Sequence, residues 1–143
     1  MDRIILSGCI ILNENNEILL LYRKDHNHYE TPGGKLNPDE CLNFENPTTE
    51  ELAKAAKREL FEELGNKIRI KDIYYFGNVE FTIPDGRKAI ANKFIVKIYG
   101  EPVINEPERF SKIEYIPIKS LEKYPISPDL KLLLHKIKNE LGK

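Results

Sequence analysis

Tryptophan is absent from this chain, and its 143 residues include one methionine and two cysteines. Cys9 and Cys41 have neither the spacing of a C-x-x-C motif nor the number needed for a disulfide framework, so both of those classes are excluded. Cys9 stands in an apolar run and is predicted to be a buried thiol. The missing tryptophan removes one common stacking residue but excludes no substrate class.

Net charge and long apolar runs are also lacking. With a formal net charge of −1, the chain has no basic surface that would hold nucleic acid through phosphate contacts alone. No apolar stretch approaches the length of a membrane span. Ile4 to Leu12 is apolar but short, lacks a cleavage-like ending and is followed by a turn, so we expect no signal peptide. These features predict a cytoplasmic protein without nucleic-acid or membrane partners.

Three glutamates on one predicted helix are the most informative feature that is present. Arg58 to Gly65 reads R-E-L-F-E-E-L-G, which puts Glu59, Glu62 and Glu63 on one helical face. Such carboxylates repel one another unless a cation lies among them, and Arg58 can reach Glu62 at the i+4 spacing. Hard oxygen ligands of this kind suit Mg²⁺ or Mn²⁺ better than Zn²⁺.

An ordinary acidic surface is the alternative interpretation of these glutamates. Charged residues make up 31% of the chain, and adjacent glutamates on a helix usually form a solvated face. In that case neutralising Glu62 would stabilise the fold by relieving repulsion, and Mg²⁺ would leave the melting temperature unchanged.

The motif resembles the box of the Nudix hydrolases, G-x5-E-x7-R-E-U-x-E-E-x-G-U, in which U is aliphatic. The second half of the box matches at Arg58, Glu59, Leu60, Glu62, Glu63 and Gly65, and its final aliphatic position holds Asn66. Retention of all three glutamates favours an enzyme over a Nudix-fold module that binds a nucleotide without turnover, because a pure binder has no need for crowded like charges.

The first half of the box is interrupted. Glu50 lies eight residues before Arg58, as the box requires, but Phe44 stands where the glycine belongs. Counting from Gly34 instead, the spacing G-x5-E leads to Glu40. The simplest reconciliation is an insertion at roughly Cys41 to Thr49, which is either a lid beside the site or a disordered excursion.

The resemblance implies specific roles for these residues. Glu62 and Glu63 would be the main metal ligands, Glu59 a ligand or an orienting acid, and Glu50 an outer part of the metal site. Arg58 would hold the glutamates in place by a salt bridge; the alternative is an ordinary surface pair. A polyphosphate substrate would then be bound largely through the metal and a few local Lys or Arg side chains.

Pro32-Gly33-Gly34 is predicted to be a turn beside this site. Consecutive glycines let the backbone approach a ligand without a side-chain clash, and the resemblance implies that a carbonyl of this turn, at Gly34, coordinates the metal. Lys35 could contact a phosphate or simply be solvated. Arg23 and Tyr29 are the other predicted substrate contacts.

A general base is expected outside the box. The candidates are Glu106 and Glu108, in a proline-held acidic loop between two strands; Glu114 is a weaker candidate because it alternates with apolar residues of a strand.

His26 and His28 have H-x-H spacing, which can bind metal, but without a cysteine or third histidine nearby they are interpreted as surface or substrate-contact residues. The stacking candidates, which could equally be core residues, are Tyr22, Tyr29, Phe81 and Phe94; His135, in the last helix, is interpreted as structural.

The order of elements predicts a mixed α/β (α+β) domain spanning residues 1–143, a monomer or homodimer without internal repeats. Two helices are expected, from Thr48 or Thr49 to Leu64 with Gly65 as its stop, and from Ser127-Pro128 onward. Predicted strands are Ile4–Leu12, Ile18–Tyr22 as the second arm of a hairpin, Ile68–Phe81 interrupted near Gly77, Lys88–Tyr99 after a Pro84-Asp85-Gly86 turn, and Ile113–Ile116. The resemblance implies the Nudix α-β-α sandwich, with a mixed sheet between helices.

The sequence therefore predicts a Mg²⁺- or Mn²⁺-dependent Nudix pyrophosphohydrolase. It would cleave a pyrophosphate bond in a nucleoside diphosphate linked to another group, with nucleoside triphosphates as the first class to test. Nucleotide sugars and ADP-ribose come next.

Overall fold

The computed structural model describes residues 3–83 and 85–142. Within these ranges the elements are, in chain order, β1 (Ile4–Ile11), β2 (Glu17–Arg23), β3 (His28–Glu30), β4 (Gly33–Lys35), α1 (Thr49–Leu64), β5 (Ile68–Thr82), β6 (Lys88–Gly100), β7 (Phe110–Pro117) and α2 (Pro128–Leu141). Short 3₁₀ helices occupy Pro38–Glu40 and Ile118–Lys123. No helix among the described residues is both long and apolar enough to cross a membrane.

The strands form one mixed and one antiparallel sheet. The four-stranded sheet has the order β4-β1-β6-β5, with β1 and β6 parallel and the other neighbours antiparallel. The three-stranded sheet has the order β3-β2-β7 and is antiparallel throughout. The predicted α+β class with a mixed sheet is confirmed.

Alternation along the strands divides the core between two faces. One apolar cluster joins Ile5, Leu19 and Phe94 to α1, and the other joins Ile10, Leu20 and Ile95 to α2. Because both sheets contribute to both clusters, the two helices lie on opposite sides of a central β layer. This is the expected α-β-α arrangement.

Helix α1 begins and ends where the sequence predicts. Thr48 is the N-cap, its hydroxyl accepting from the Glu51 amide at 3.1 Å while the Glu51 carboxylate accepts from the Thr48 amide at 2.8 Å. This reciprocal pair satisfies two amides that have no intrahelical partner. Gly65 ends the helix with φ +84°, which a glycine adopts readily. The buried stripe faces the β layer through Leu52, Ala56, Leu60 and Leu64.

The predicted hairpin between the first two strands is wrong. The turn forms, since the Asn13 side chain accepts from the Asn15 and Glu17 amides at 3.0 Å, but β1 and β2 then enter different sheets and share only the bridge between Leu12 and Ile18. Both edges of β1 are already occupied by β4 and β6. Four consecutive buried residues in β2, from Ile18 to Leu21, carry no alternation that would reveal its partner.

Other boundaries differ in detail. The polar segment at 24–27 connects β2 and β3 as a hairpin, and β7 extends beyond the predicted Ile113–Ile116 at both ends. The interruption near Gly77 is a register shift between Tyr75 and Gly77. Of the predicted turn before β6, Asp85 and Gly86 join β5 to β6 as expected, whereas Pro84 lies outside the described residues.

The glycine pair forms a strand where a turn was predicted. Gly33 and Gly34 belong to β4, which pairs antiparallel with Gly8 and Ser7 of β1. A Cβ atom on Gly33 would lie 2.6 Å from the Cα of Gly8. Glycine is therefore required here because two backbones approach closely, and the pairing fixes this segment beside the C-terminal half of α1.

Candidate active site

The acidic face of α1 lies at the edge of the core, as its position beside the apolar stripe predicts. The exposed fraction rises from 1% for Glu63 through 12% for the Glu59 side chain to 49% for the Glu62 side chain. The helix therefore presents its carboxylates as a graded series from the protein interior to solvent.

Arg58 holds three of the acids together. Its Nε and Nη2 donate to the two oxygens of Glu40, each at 2.7 Å, and its Nη1 donates to Glu59 at 2.7 Å and to Glu62 at 2.9 Å. Nη2 also donates to the Lys35 carbonyl at 3.0 Å. The guanidinium fork thus connects α1 both to β4 and to the 3₁₀ helix after it.

The box spacing left two candidates for its first glutamate, Glu40 and Glu50. The hydrogen bonds from Arg58 hold the pKa of Glu40 below its usual range despite partial burial. Glu50, predicted to belong to the outer metal site, is exposed in the first turn of α1. Of the two acids, Glu40 is therefore the one that contacts Arg58, and the inserted segment at 41–49 follows Glu40 and leads into α1.

The inserted segment at 41–49 packs against the core through Cys41 and Phe44 and is mostly exposed elsewhere. Phe44 packs against the α1 cluster, and the Glu45 carbonyl accepts from Arg3 at 3.2 Å. Leu42 is fully exposed, although its amide donates to Glu51 at 3.0 Å. These contacts hold the segment against the N-terminal half of α1.

Glu63 extends from α1 to the glycine strand. Its Oε1 accepts from the Gly33 amide at 2.8 Å, while its Oε2 is buried without a hydrogen-bond partner. The nearest cation is Arg109, whose Nη1 lies 3.6 Å from Oε2. Burial raises the pKa of Glu63 to about 9, against the opposing effect of the Gly33 amide. A buried carboxylate oxygen without a hydrogen bond is unfavourable unless a proton or a closer cation satisfies it.

Glu59 lies against the backbone of the glycine strand. A Cβ atom on Gly34 would fall 2.5 Å from both Glu59 carboxylate oxygens. Burial raises the pKa of Glu59, although Arg58 opposes the shift. Glycine at position 34 thus leaves the space that this carboxylate occupies.

The loop before β7 closes the end of the acidic helix. The Val103 and Asn105 amides donate to the carbonyls of Leu64 and Glu63, each at 3.0 Å, and the Asn105 side chain donates to the Glu62 carbonyl at 2.9 Å. These donors satisfy carbonyls that a helix C-terminus leaves unpaired. The loop is thereby fixed beside the carboxylates.

That attachment distinguishes the two candidate bases. Arg109 donates to Glu106 at 2.9 Å and also faces Glu63, so Glu106 lies near the acidic group. Glu108 is exposed in the same loop. Glu114 accepts a short hydrogen bond from the Tyr29 hydroxyl and is engaged there.

The predicted substrate contacts are placed unevenly. Tyr29 is buried, and its ring packs edge-on against Tyr22 at 5.0 Å and Tyr124 at 5.7 Å between centroids, so its faces are not open for stacking. The hydrogen bond to Glu114 raises the pKa of Tyr29 to about 12. Arg23 pairs with Asp25 at 2.9 Å, whereas the Lys35 side chain is exposed. Phe94 belongs to the core.

The fold and this acidic centre agree with the comparison to known families. The NUDIX domain family matches residues 3–137. The chain belongs to the Nudix family.

Solved Nudix structures share its fold. The MutT NUDIX hydrolase from Burkholderia pseudomallei superposes with a TM-score of 0.77 and 22% identity, covering 96% of this chain and 99% of that one. The MutT protein from Methanosarcina mazei Go1 gives 0.74 and 24%, covering 99% and 96%. The NUDIX domain of Shewanella oneidensis NrtR, solved in complex with ADP ribose, gives 0.74 and 15%, covering 99% and 90%. No curated protein is significantly similar in sequence.

As a member of this family, the chain is a Nudix pyrophosphohydrolase. The family acts on nucleoside diphosphates linked to another moiety. Nudix hydrolases generally use divalent metals, and the residues present fit such an ion. Oε2 of Glu63 lacks a hydrogen-bond partner, and Arg58 supplies one positive charge to three carboxylates. Among the described residues, the ligand oxygens of Glu59, Glu62 and Glu63 do not all lie within 4.8 Å of one another.

Sequence reasoning missed two members of this Nudix site. Arg109 was not selected, because nothing in its local sequence shows that the loop returns to α1. Asn105 was not selected either, although asparagine is a common donor to helix ends. The G-x5-E count from Gly34 was the available signal for Glu40.

Proposed function

We propose that this Nudix chain hydrolyses a pyrophosphate bond in a nucleoside diphosphate linked to another group, with Mg²⁺ or Mn²⁺ as its cofactor and nucleoside triphosphates as the first substrate class. The observation that carries the proposal is the buried Oε2 of Glu63, which has no hydrogen-bond partner, beside Glu59 and Glu62. Nucleotide sugars and ADP-ribose are the second substrate class. Cytoplasmic location, the single domain over 1–143 and the monomer or homodimer stay predictions.

Glu59, Glu62 and Glu63 would hold the ion, with the Gly34 carbonyl as a further ligand. The ion would neutralise charge on the phosphoryl oxygens and make bound water more acidic. Arg58 would act as a positioning residue, because its guanidinium fixes Glu59 and Glu62 relative to Glu40.

Glu106 is the better-placed general base of the two predicted. Its carboxylate would take a proton from the attacking water as the new P–O bond forms and the bridging P–O bond breaks. The separated phosphate group leaves with a proton from solvent. Arg109 orients Glu106 through the 2.9 Å hydrogen bond.

Exposed cations would contribute to substrate binding. Lys35 projects from β4, whose backbone is joined to Arg58, and suits contact with a phosphate. Arg23 already donates through Nε to Asp25, so its Nη groups would have to contact the anion. Tyr29 is buried and donates to Glu114, so it would not contact the substrate directly.

The test is release of phosphate and pyrophosphate over a panel of nucleoside triphosphates, nucleotide sugars and ADP-ribose with Mg²⁺. Wild type is compared with Glu62→Gln and with Glu50→Gln, a matched control on the exposed first turn of the same helix. Turnover that collapses in Glu62→Gln and persists in Glu50→Gln supports the proposal. If nothing turns over while nucleotides raise the Tm, the binding-module alternative replaces it.

A further inference from the structure

The turn between β2 and β3 brings two histidines together outside the box. Asn27 has φ +54°, a left-handed conformation that asparagine tolerates. The chain reverses there, and the rings of His26 and His28 stack edge-on with centroids 5.2 Å apart. The sequence shows the H-x-H spacing, but the positive φ that turns His26 toward His28 is a property of the folded chain.

Glu30 completes this group because residues two apart in a strand share a face. Its Oε2 lies 3.1 Å from Nε2 of His28. One ligand atom from each of His26, His28 and Glu30 lies within 4.8 Å of the others. The His28 and Glu30 side chains are largely buried, whereas the His26 side chain is 47% exposed. The side chains of His28 and Glu30 are thus held in place, whereas the side chain of His26 is free to change its rotamer.

We propose that His26, His28 and Glu30 form a second cation site, which binds a borderline transition-metal ion such as Zn²⁺. Two imidazoles and one carboxylate are a donor set that zinc and its neighbours accept and that Mg²⁺ does not favour. The proposal goes beyond the proposed hydrolysis, because it concerns other residues, another ion class and another element of the fold.

The donor spacing fits this ion. Zinc–ligand distances of about 2.0–2.2 Å place the donors of a tetrahedral site about 3.3–3.5 Å apart. The 3.1 Å separation of His28 and Glu30 is already close to that value. An ion would replace the proton of this hydrogen bond and would lie to one side of the line that joins the two atoms, and rotation of the exposed His26 side chain would bring in the third ligand.

Neighbouring charges support the carboxylate. Nη1 of Arg23 lies 3.6 Å from Oε1 of Glu30, so the guanidinium can hold that oxygen while Oε2 faces the histidines. Asp25 is paired with the same guanidinium at 2.9 Å and has its Oδ2 3.8 Å from Nε2 of His26. The ion would therefore be surrounded by two acids and one arginine.

Zinc binding is measured with Mg²⁺ in excess, so that the glutamates of α1 are occupied by their own ion. The background is Cys41→Ser, which removes the partly exposed free thiol. His26→Gln and His28→Gln are compared with His135→Gln, a control on the exposed face of α2 whose ring contacts Asn139. Calorimetry gives the affinity, and the imidazole NMR resonances identify the ligands.

The expected result is that Zn²⁺ shifts the ring resonances of His26 and His28 but not of His135, with at least about tenfold weaker affinity in each ligand variant, since even outer contacts contribute about 10–100-fold. Equal affinity in all three variants, or unshifted rings, overturns the site. Melting curves in EDTA verify that each variant folds, and the exposed His26 keeps the test valid if His28→Gln does not. Nucleotide turnover is not needed for this readout, so its failure and that of the hydrolase proposal are distinguishable.

Discussion

At the scale of single residues, Glu63 determines how the empty and the metal-bound centre differ in stability. Its folded pKa of about 9 exceeds the ordinary 4.5, mainly because the carboxyl is buried. The metal-free folded state therefore binds more protons than the unfolded state, and Glu63 lowers stability progressively as pH rises from about 4.5 to about 9. Above that range the full penalty of a buried anion is present.

Glu63→Gln is expected to remove this pH dependence. In EDTA at pH 9 the variant should exceed wild type in unfolding free energy by about 1–3 kcal/mol, the range for a buried unsatisfied group. At pH 5 the difference should shrink. Urea unfolding at both pH values measures it, with the half-exposed Glu62→Gln as control. Parallel pH profiles for wild type and Glu63→Gln would contradict the argument, as would a Tm gain with Mg²⁺ that the variant shares equally.

Glu40 and Glu50 test which acid completes the box. Glu40 receives two charge-assisted hydrogen bonds from Arg58, whereas Glu50 is exposed in the first turn of α1. Glu40→Gln should free Arg58 to shift against Glu59 and Glu62, weakening Mn²⁺ binding by about 10–100-fold. Glu50→Gln should leave the Mn²⁺ affinity within about twofold of wild type. A larger loss of Mn²⁺ affinity in Glu50→Gln than in Glu40→Gln would instead assign Glu50 as the first glutamate of the box.

The same pair shows where sequence reasoning stops at this scale. The R-E-L-x-E-E-x-G half of the box lies on one helix, so its spacing predicts which side chains share a face. Glu40 comes from a separate turn, and its distance from Arg58 depends on the path of the chain through β4. The G-x5-E count from Gly34 made Glu40 a candidate, but no spacing along the sequence gives its distance from Arg58.

At the scale of elements, the loop between β6 and β7 is expected to carry the base. Glu106 is hydrogen-bonded to Arg109, which also contacts Glu63, while Glu108 is exposed two residues later. Glu106→Gln should lower kcat by about 10²–10⁴-fold, the usual contribution of a general base. Glu108→Gln is the matched control and should stay near wild type.

The pH profile separates a base from a structural acid. With Glu106→Gln, the acidic limb of the kcat profile should flatten, because the group that must lose its proton is gone. A uniform loss at every pH, with the limb intact, would assign Glu106 to orienting Arg109 instead. A larger loss in Glu108→Gln would reverse the assignment.

Elements themselves were predictable where their signals are local. The apolar stripe lies within α1 and the helix caps, Thr48 and Gly65, directly flank it, and the helix has the predicted bounds. Partners in a sheet are set by contacts far apart in sequence. In β2 both faces are buried, so the apolar pattern predicted a strand but could not show that β3 and β7, rather than β1, flank it.

At the scale of the whole molecule, the buried ion pair of Lys93 and Asp129 connects α2 to the segment that precedes the glycine strand of the acidic site. Lys93, in the central strand β6, contacts Asp129 at the start of α2 at 2.7 Å and donates to the Thr31 hydroxyl at 2.6 Å. Thr31 precedes the glycine strand whose Gly33 amide binds Glu63. The position of the acidic centre therefore depends on α2 as well as on α1.

Asp129→Asn should destabilise the fold by about 3–5 kcal/mol, because it leaves the buried Lys93 ammonium without its counter-charge. Glu122→Gln is the control: its carboxylate pairs with Lys138 at the surface, and its loss should change the unfolding free energy by about 0–1 kcal/mol. Urea unfolding at pH 7 measures both. A loss below about 1 kcal/mol for Asp129→Asn would show that water or Thr31 already satisfies Lys93.

The stability difference between wild type and Asp129→Asn should also depend on pH. Burial opposes ionisation of Asp129, but the charge and hydrogen bond of Lys93 outweigh it and hold the pKa of Asp129 below its ordinary 3.8. The pair therefore contributes its full stability above about pH 4 and loses it as the pH falls through the folded pKa. The gap between wild type and Asp129→Asn should be constant from pH 5 to 7 and narrow below pH 4. A gap that stays constant into acid would mean that packing around α2, rather than the ionised carboxylate, stabilises this junction.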